Sequence, residues 1–104
     1  MSTPVIAITL GDPRGIGPEI VTKALATPGF AGATRFVVVG PEGTGVPVDE
    51  SIGTWTSGSS DAAQAGRLAG LAITRAVELA RSGEVQGIVT APIDKAALLA
   101  GGYD

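Results

Sequence analysis

The sequence predicts an α/β fold, a parallel sheet with alternating helices, and three observations carry that prediction. Apolar runs of strand length alternate with segments of helical period, in the order strand-helix-strand-helix-strand-helix, which implies right-handed crossovers. The run Phe36-Val37-Val38-Val39 is apolar throughout, as suits a strand covered on both faces of its sheet. Glycine and proline punctuate the elements at Gly11, Pro28-Gly29, Gly40-Pro41 and Gly83.

Each element follows from its local pattern. Val5–Leu10 is β-branched, bounded by Gly11, and reads as the first strand. Pro18–Ala26 reads as a helix with Ile20, Val21, Ala24 and Leu25 on one apolar face. Pro18 suits its first turn and Glu19 complements the positive end of its dipole. Arg35–Val39 is a second short strand, ending at Gly40-Pro41. From Glu42 to Ser60 the chain holds four glycines and Pro47, with Trp55 as its one large apolar group. That stretch is expected to be an irregular connection with a short strand near Ile52–Thr56. Asp61–Arg81 is the longest helix, with Leu68, Leu71, Ala72, Ala76, Leu79 and Ala80 at helical spacing and Gly83 as its stop. Its Ala62, Gly66, Ala69 and Gly70 form a small-residue face suited to tight helix–sheet packing, with a dimer contact as the alternative. Val85–Thr90 is the third strand, and Ile93–Ala100 begins a further helix.

Composition removes several function classes. A chain of 104 residues with 44% apolar residues is at most one small globular domain, or a piece of a larger one. The formal charge of −3 gives no basic field, and Lys23, Arg35, Arg67 and Lys95 are scattered, which argues against nucleic acid as a partner. There is no cysteine, hence no disulfide and no thiolate metal site. No run reaches the roughly 20 apolar residues of a membrane span, and Met1-Ser2-Thr3-Pro4 lacks a signal peptide's charged start, so a cytoplasmic protein is expected. The absence of histidine removes the usual neutral-pH acid/base and the commonest metal ligand.

Two segments carry the chemistry. The first is the elbow Gly11-Asp12-Pro13-Arg14-Gly15-Ile16-Gly17-Pro18-Glu19, where Gly11, Gly15 and Gly17 permit positive φ and close approach by a ligand or another strand. A stiff glycine turn between a strand and a helix N-terminus commonly holds an anion or cofactor. As a dinucleotide fingerprint it is incomplete: Ile20 stands where the third glycine belongs. Glu42, the nearest candidate acidic residue, follows its strand only after Gly40-Pro41. Gly40-Pro41-Glu42-Gly43-Thr44-Gly45 lacks the Lys-Ser/Thr of a phosphate loop and reads as a turn. Asp12 either binds a ligand group or accepts hydrogen bonds from its own turn. Arg14 and Glu19 are expected to pair locally. The second segment is Val89-Thr90-Ala91-Pro92-Ile93-Asp94-Lys95, at a strand's carboxyl end where open α/β sheets bind ligands. Thr90 offers a hydroxyl. Lys95 lies in a helix's first turn, against the dipole preference, as either a solvated lysine or a point charge for phosphate or carboxylate.

Together the stretches Ile8–Ile20 and Val89–Leu98 resemble the two N-terminal signatures of the 4-hydroxythreonine-4-phosphate dehydrogenase family, and in order they span nearly the whole chain. Arg14 departs from the small residue usual there, a bulk that could crowd whatever approaches the turn. The resemblance implies a partial isocitrate/isopropylmalate dehydrogenase-like fold and NAD-dependent oxidation followed by decarboxylation, in pyridoxal phosphate biosynthesis. It also implies a small phosphorylated substrate, a homodimer, and a divalent metal held by histidines. Relatives acting on phosphorylated four-carbon sugar acids are the alternative. On this resemblance Gly11, Asp12, Gly15, Ile16 and Gly17 are expected to bind the cofactor, with Thr90 and Lys95 on the substrate side. No catalytic residue and no metal ligand can be carried over, because the family's histidine motifs have no counterpart here. Residues 1–104 are therefore expected to be the N-terminal segment of a larger two-domain dehydrogenase, inactive alone. Two other classes remain open: a stand-alone anion-binding module, and a non-catalytic subunit pairing through its Ala/Gly helix face.

Overall fold

The computed structural model describes residues 3–29 and 32–103. Four parallel strands form one sheet in the order β3-β2-β1-β4, from β1 (Val5–Thr9), β2 (Arg35–Glu42), β3 (Glu50–Thr54) and β4 (Gly87–Thr90). Helix α1 (Gly17–Ala26) links β1 to β2, α2 (Ala62–Arg81) links β3 to β4, and α3 (Lys95–Ala100) follows β4. The parallel α/β class expected from the sequence is the class observed.

Helix α2 covers one face of the sheet. There Ala7, Val39, Ala72, Ala76, Leu79 and Val85 form a closed apolar cluster. On the opposite face Ile8, Leu10 and Val38 pack with Val21 of α1 and Ala91. Both ends of α2 are fixed, the second by the expected stop. Asp61 caps the start, accepting a hydrogen bond from the Gln64 amide at 3.1 Å. Gly83, at φ 82°, ends it, its amide donating to the Ala80 carbonyl.

Several expectations need correction. Strand β2 runs through Gly40-Pro41 to Glu42 instead of stopping there. Its register with β3 slips between Gly40 and Glu42, so Pro41 sits at an irregularity where its missing N–H does no harm. Gly40 admits the Leu10 side chain, which would stand 2.7 Å from an added Cβ. The objection to a dinucleotide site from Glu42's distance to its strand therefore lapses, while Ile20 still replaces the third glycine. The short strand near residue 52 is a full partner of β2, and Trp55 beyond it is buried against Ala65 and Leu68 of α2. On α1 only Val21 of the predicted apolar face is buried; Ile20 and Leu25 are exposed.

The small-residue face of α2 also packs differently. Gly66 lies against the Ala97 carbonyl, and Gly70 lies under the Tyr103 ring. Gly101 in turn meets the Arg67 amide. The face therefore seats α3 and the chain after it, within the same molecule, in place of the sheet or a second copy. This docking decides where the β4–α3 loop lies.

Candidate functional site

The elbow after β1 and the loop after β4 meet because their strands are neighbours with Thr9 opposite Thr90. The Ala91 amide donates to the Thr9 carbonyl at 3.1 Å, and the Asp12 amide donates to the Pro92 carbonyl at 3.2 Å. Gly11 is forced at this crossing. Its φ is 73°, and an added Cβ would strike the Pro92 carbonyl oxygen. Gly17 is equally confined, beneath the Leu10 carbonyl. These two glycines are consumed by the protein's own backbone.

Between the loops lies a cleft of about 490 Å³, lined by Asp12, Arg14, Gly15, Ile16, Pro92, Ile93 and Asp94. Arg14 is its centre. The guanidinium donates through Nε to Asp12 Oδ1 at 3.2 Å and through Nη2 to Asp12 Oδ2 at 2.8 Å. Nη2 also reaches Asp94 Oδ2 at 2.9 Å, joining the elbow to the start of α3. The Asp12 side chain is only 6% exposed, so the cation beside it offsets a charge that burial would otherwise penalise. Asp12 Oδ1 also accepts from the Arg14 amide at 2.8 Å, closing the turn. The expected Arg14–Glu19 pair does not form; Glu19 pairs with Lys23 at 3.0 Å, one helical turn on.

Asp94 has two duties. Its Oδ1 accepts from the Ala96 and Ala97 amides, capping α3, while Oδ2 takes the Arg14 contact. The Ala97 amide, the Ala96 amide and the Arg14 guanidinium hold its carboxyl below the usual range, with partial burial opposing them. The same two carboxylates raise the Arg14 guanidinium, Asp12 most of all.

Of the residues expected to bind a cofactor, Asp12, Gly15 and Ile16 line the cleft, Ile16 with its side chain exposed. Gly11 and Gly17 lie beneath it. Thr90 and Lys95, expected on the substrate side, are exposed and outside the cleft lining. Sequence reasoning missed Asp94 and the part Arg14 plays. The signal for Asp94 was available: an aspartate directly before an apolar helical run is an N-cap pattern.

Among the described residues no group of three or more Asp or Glu converges as a metal site requires. The cleft's two carboxylates are bridged by a cation, so a divalent ion would have to displace Arg14. The residues present do not fit the metal that the resemblance implies. Among the described residues no helix is long and apolar enough to cross a membrane.

The chain is of the parallel α/β class, with a cleft at the carboxyl ends of two adjacent strands, the position at which open α/β sheets generally bind ligands. The particular family follows from comparison with known proteins. The profile of the pyridoxal phosphate biosynthetic protein PdxA matches residues 22–104, and the chain belongs to that family. It is 36% identical to the D-threonate 4-phosphate dehydrogenase of Salmonella typhimurium, covering all of this chain and 41% of that protein. It is also 36% identical to the 4-hydroxythreonine-4-phosphate dehydrogenase of Synechocystis sp., covering 37% of that protein. A crystal structure of a 4-hydroxythreonine-4-phosphate dehydrogenase from Burkholderia phymatum superposes with a TM-score of 0.82 at 32% identity, over 99% of this chain and 40% of that one. The chain thus spans about two-fifths of the length of the relatives it matches.

Proposed function

We propose that this chain supplies the cleft-forming segment of an NAD-dependent dehydrogenase acting on a small phosphorylated hydroxy acid. The substrate is 4-hydroxythreonine 4-phosphate, or D-threonate 4-phosphate as the alternative, oxidised in a cytoplasmic homodimer. The observation that carries the reading is the joining of both signature segments into one cleft at the carboxyl ends of β1 and β4. Ile16, Pro92 and Ile93 give that cleft apolar walls for a flat ring, and Arg14 gives it a cation for a phosphorylated ligand. NAD, when bound, supplies the hydride acceptor. The chain's own residues bind and orient, with Gly11 and Gly17 fixing the elbow against the β4–α3 loop. The cleft's only carboxylates, Asp12 and Asp94, are engaged by Arg14, so the divalent metal implied by the resemblance would need ligands from outside this cleft.

The test is a graft. Residues 1–104 replace the corresponding stretch of the Salmonella typhimurium relative, and NADH formation is followed with each of the two phosphorylated substrates. Turnover of one of them at a rate near the parent's is expected. A folded graft that yields NADH from neither would sink the proposal.

A further inference from the structure

The guanidinium of Arg14 has two edges on which a planar or tetrahedral anion can sit with two hydrogen bonds. The side edge, Nε and Nη2, is filled by Asp12 with both oxygens. The end edge, Nη1 and Nη2, is only half used. Nη2 spends its second hydrogen on Asp94 Oδ2, and among the described residues Nη1 has no partner. This half-open edge belongs to a side chain that lines the cleft and is 25% exposed.

The two carboxylates differ in how firmly they hold. Asp12 is almost wholly buried and chelates the guanidinium, so it fixes the plane of the fork. Asp94 is 49% exposed and makes one contact, in competition with water. Its other oxygen is committed to the Ala96 and Ala97 amides, so losing Arg14 would leave it still hydrogen-bonded and in solvent.

From this geometry we infer that Arg14 adds a phosphoryl-binding edge to the cleft of this chain, and that Asp94 is its resident competitor. A phosphate seated on Nη1 and Nη2 takes the hydrogen that Asp94 now holds. Asp94 stays behind as the α3 cap. The buried Asp12 keeps the guanidinium from following the ligand, so the fork is set before binding and little side-chain entropy is lost. Lysine could not replace it, having no planar fork to be held by one carboxylate while gripping a second anion. The inference rests on the proposed function for the ligand's class, a phosphorylated small molecule. A substrate phosphomonoester and the diphosphate bridge of NAD share the chemistry that the edge recognises.

The experiment follows the Arg14 side-chain N–H signals of the full chain by NMR, during titrations with inorganic phosphate and, separately, with NAD. A saturable shift of those signals is expected. Response to phosphate alone assigns the edge to the substrate, and response to NAD alone assigns it to the coenzyme. Asp94→Asn keeps a capping side chain and removes the competing charge, so the responding probe should bind about two- to fivefold more tightly, the worth of an exposed ion pair. Arg14→Lys should weaken it by about tenfold or more, a lost charge-assisted bond. The opposite signs of the two variants are the diagnostic. Arg14 signals that ignore both probes, or an Asp94→Asn chain that binds no tighter, would overturn the inference. NADH production by the graft is a separate readout. If it persists while the fork is indifferent, only this inference fails; if the fork responds and no NADH forms, only the proposed function fails.

Discussion

Gly66→Ala tests the docking of α3 on α2, because two effects of known size oppose each other there. Gly66 lies within a 20-residue helix, where alanine is favoured over glycine by about 1 kcal/mol. On propensity alone the substitution stabilises. The added Cβ, however, would meet the carbonyl oxygen and carbon of Ala97 and stand 2.8 Å from the Leu98 amide nitrogen. All three are backbone atoms of another helix, which cannot rotate aside as a side chain can. Overpacking typically costs about 1–3 kcal/mol, and a rigid backbone neighbour places this case at the upper end, about 3 kcal/mol. The net expectation is destabilisation by about 2 kcal/mol, a fall in Tm of about 8–16 °C for a domain of this size. Trp55, the only tryptophan, is buried against α2 and reports unfolding in urea by its fluorescence. Gly70→Ala is the internal control. Its Cβ would meet the edge of the Tyr103 ring, a side chain that can swing away, so the cost should be well below that of Gly66→Ala. A Gly66→Ala midpoint that rises, with unchanged denaturant dependence, would refute the α2–α3 contact and with it the placement of Asp94 in the cleft.

Three further outcomes are expected. Thr9 is fully buried and its hydroxyl has no partner among the described residues, so Thr9→Val should stabilise by about 1 kcal/mol in the same urea assay; a loss would reveal a hydrogen bond to that oxygen. Asp61→Ala removes the cap of α2 and should cost about 1 kcal/mol, with Asp61→Asn nearly neutral, both read from thermal unfolding. The Asp94 carboxyl titrates lower in the folded chain than in the unfolded one, so the unfolded state binds more protons through that window. Its contribution is therefore complete above the ordinary aspartate value of about 3.9 and is lost as pH falls below it. Asp94→Asn should flatten that part of the acid-unfolding curve, and an unchanged curve would count against the capping role.

How much of this was legible in the sequence depended on whether the cause was local. Strand β1, α1 and α2 each carry their signal within a few residues, as periodicity, a cap or a stop, and their predicted bounds hold to within about a residue. The course of β2 through Gly40-Pro41 was hidden because Pro41 is tolerated only by a register slip against β3, which lies outside its own segment. The chemistry divided in the same way. Asp12 as a turn residue was visible, since its hydrogen bond reaches only two positions along. The Arg14 partnership with Asp94 spans 80 residues and depends on β4 lying beside β1, so nothing near Arg14 in the sequence pointed to it.

The acidic balance of the chain takes its meaning from the reach of its side chains. Each described aspartate spends a carboxylate oxygen on backbone N–H groups. Asp12 takes the Arg14 amide, Asp49 the Val38 amide, Asp61 the Gln64 amide, and Asp94 those of Ala96 and Ala97. One methylene keeps the carboxylate close enough to the main chain to stand in for a missing strand or helix partner. At Asp49 the substitution is literal. Its carboxylate and its own amide serve the Val38 amide and carbonyl just before β3 takes over the pairing, where residues 43–49 connect two parallel strands without a helix. Parallel pairs ordinarily need a crossover of about a dozen residues or more, so this aspartate makes an unusually short return feasible. The longer glutamates instead reach other side chains, as in Glu19–Lys23 and Glu50–Arg75. The aspartates are thus part of the scaffold first. Only in the cleft do two of them also meet a cation, and there the same carboxylates that hold the elbow and the helix set the orientation of Arg14.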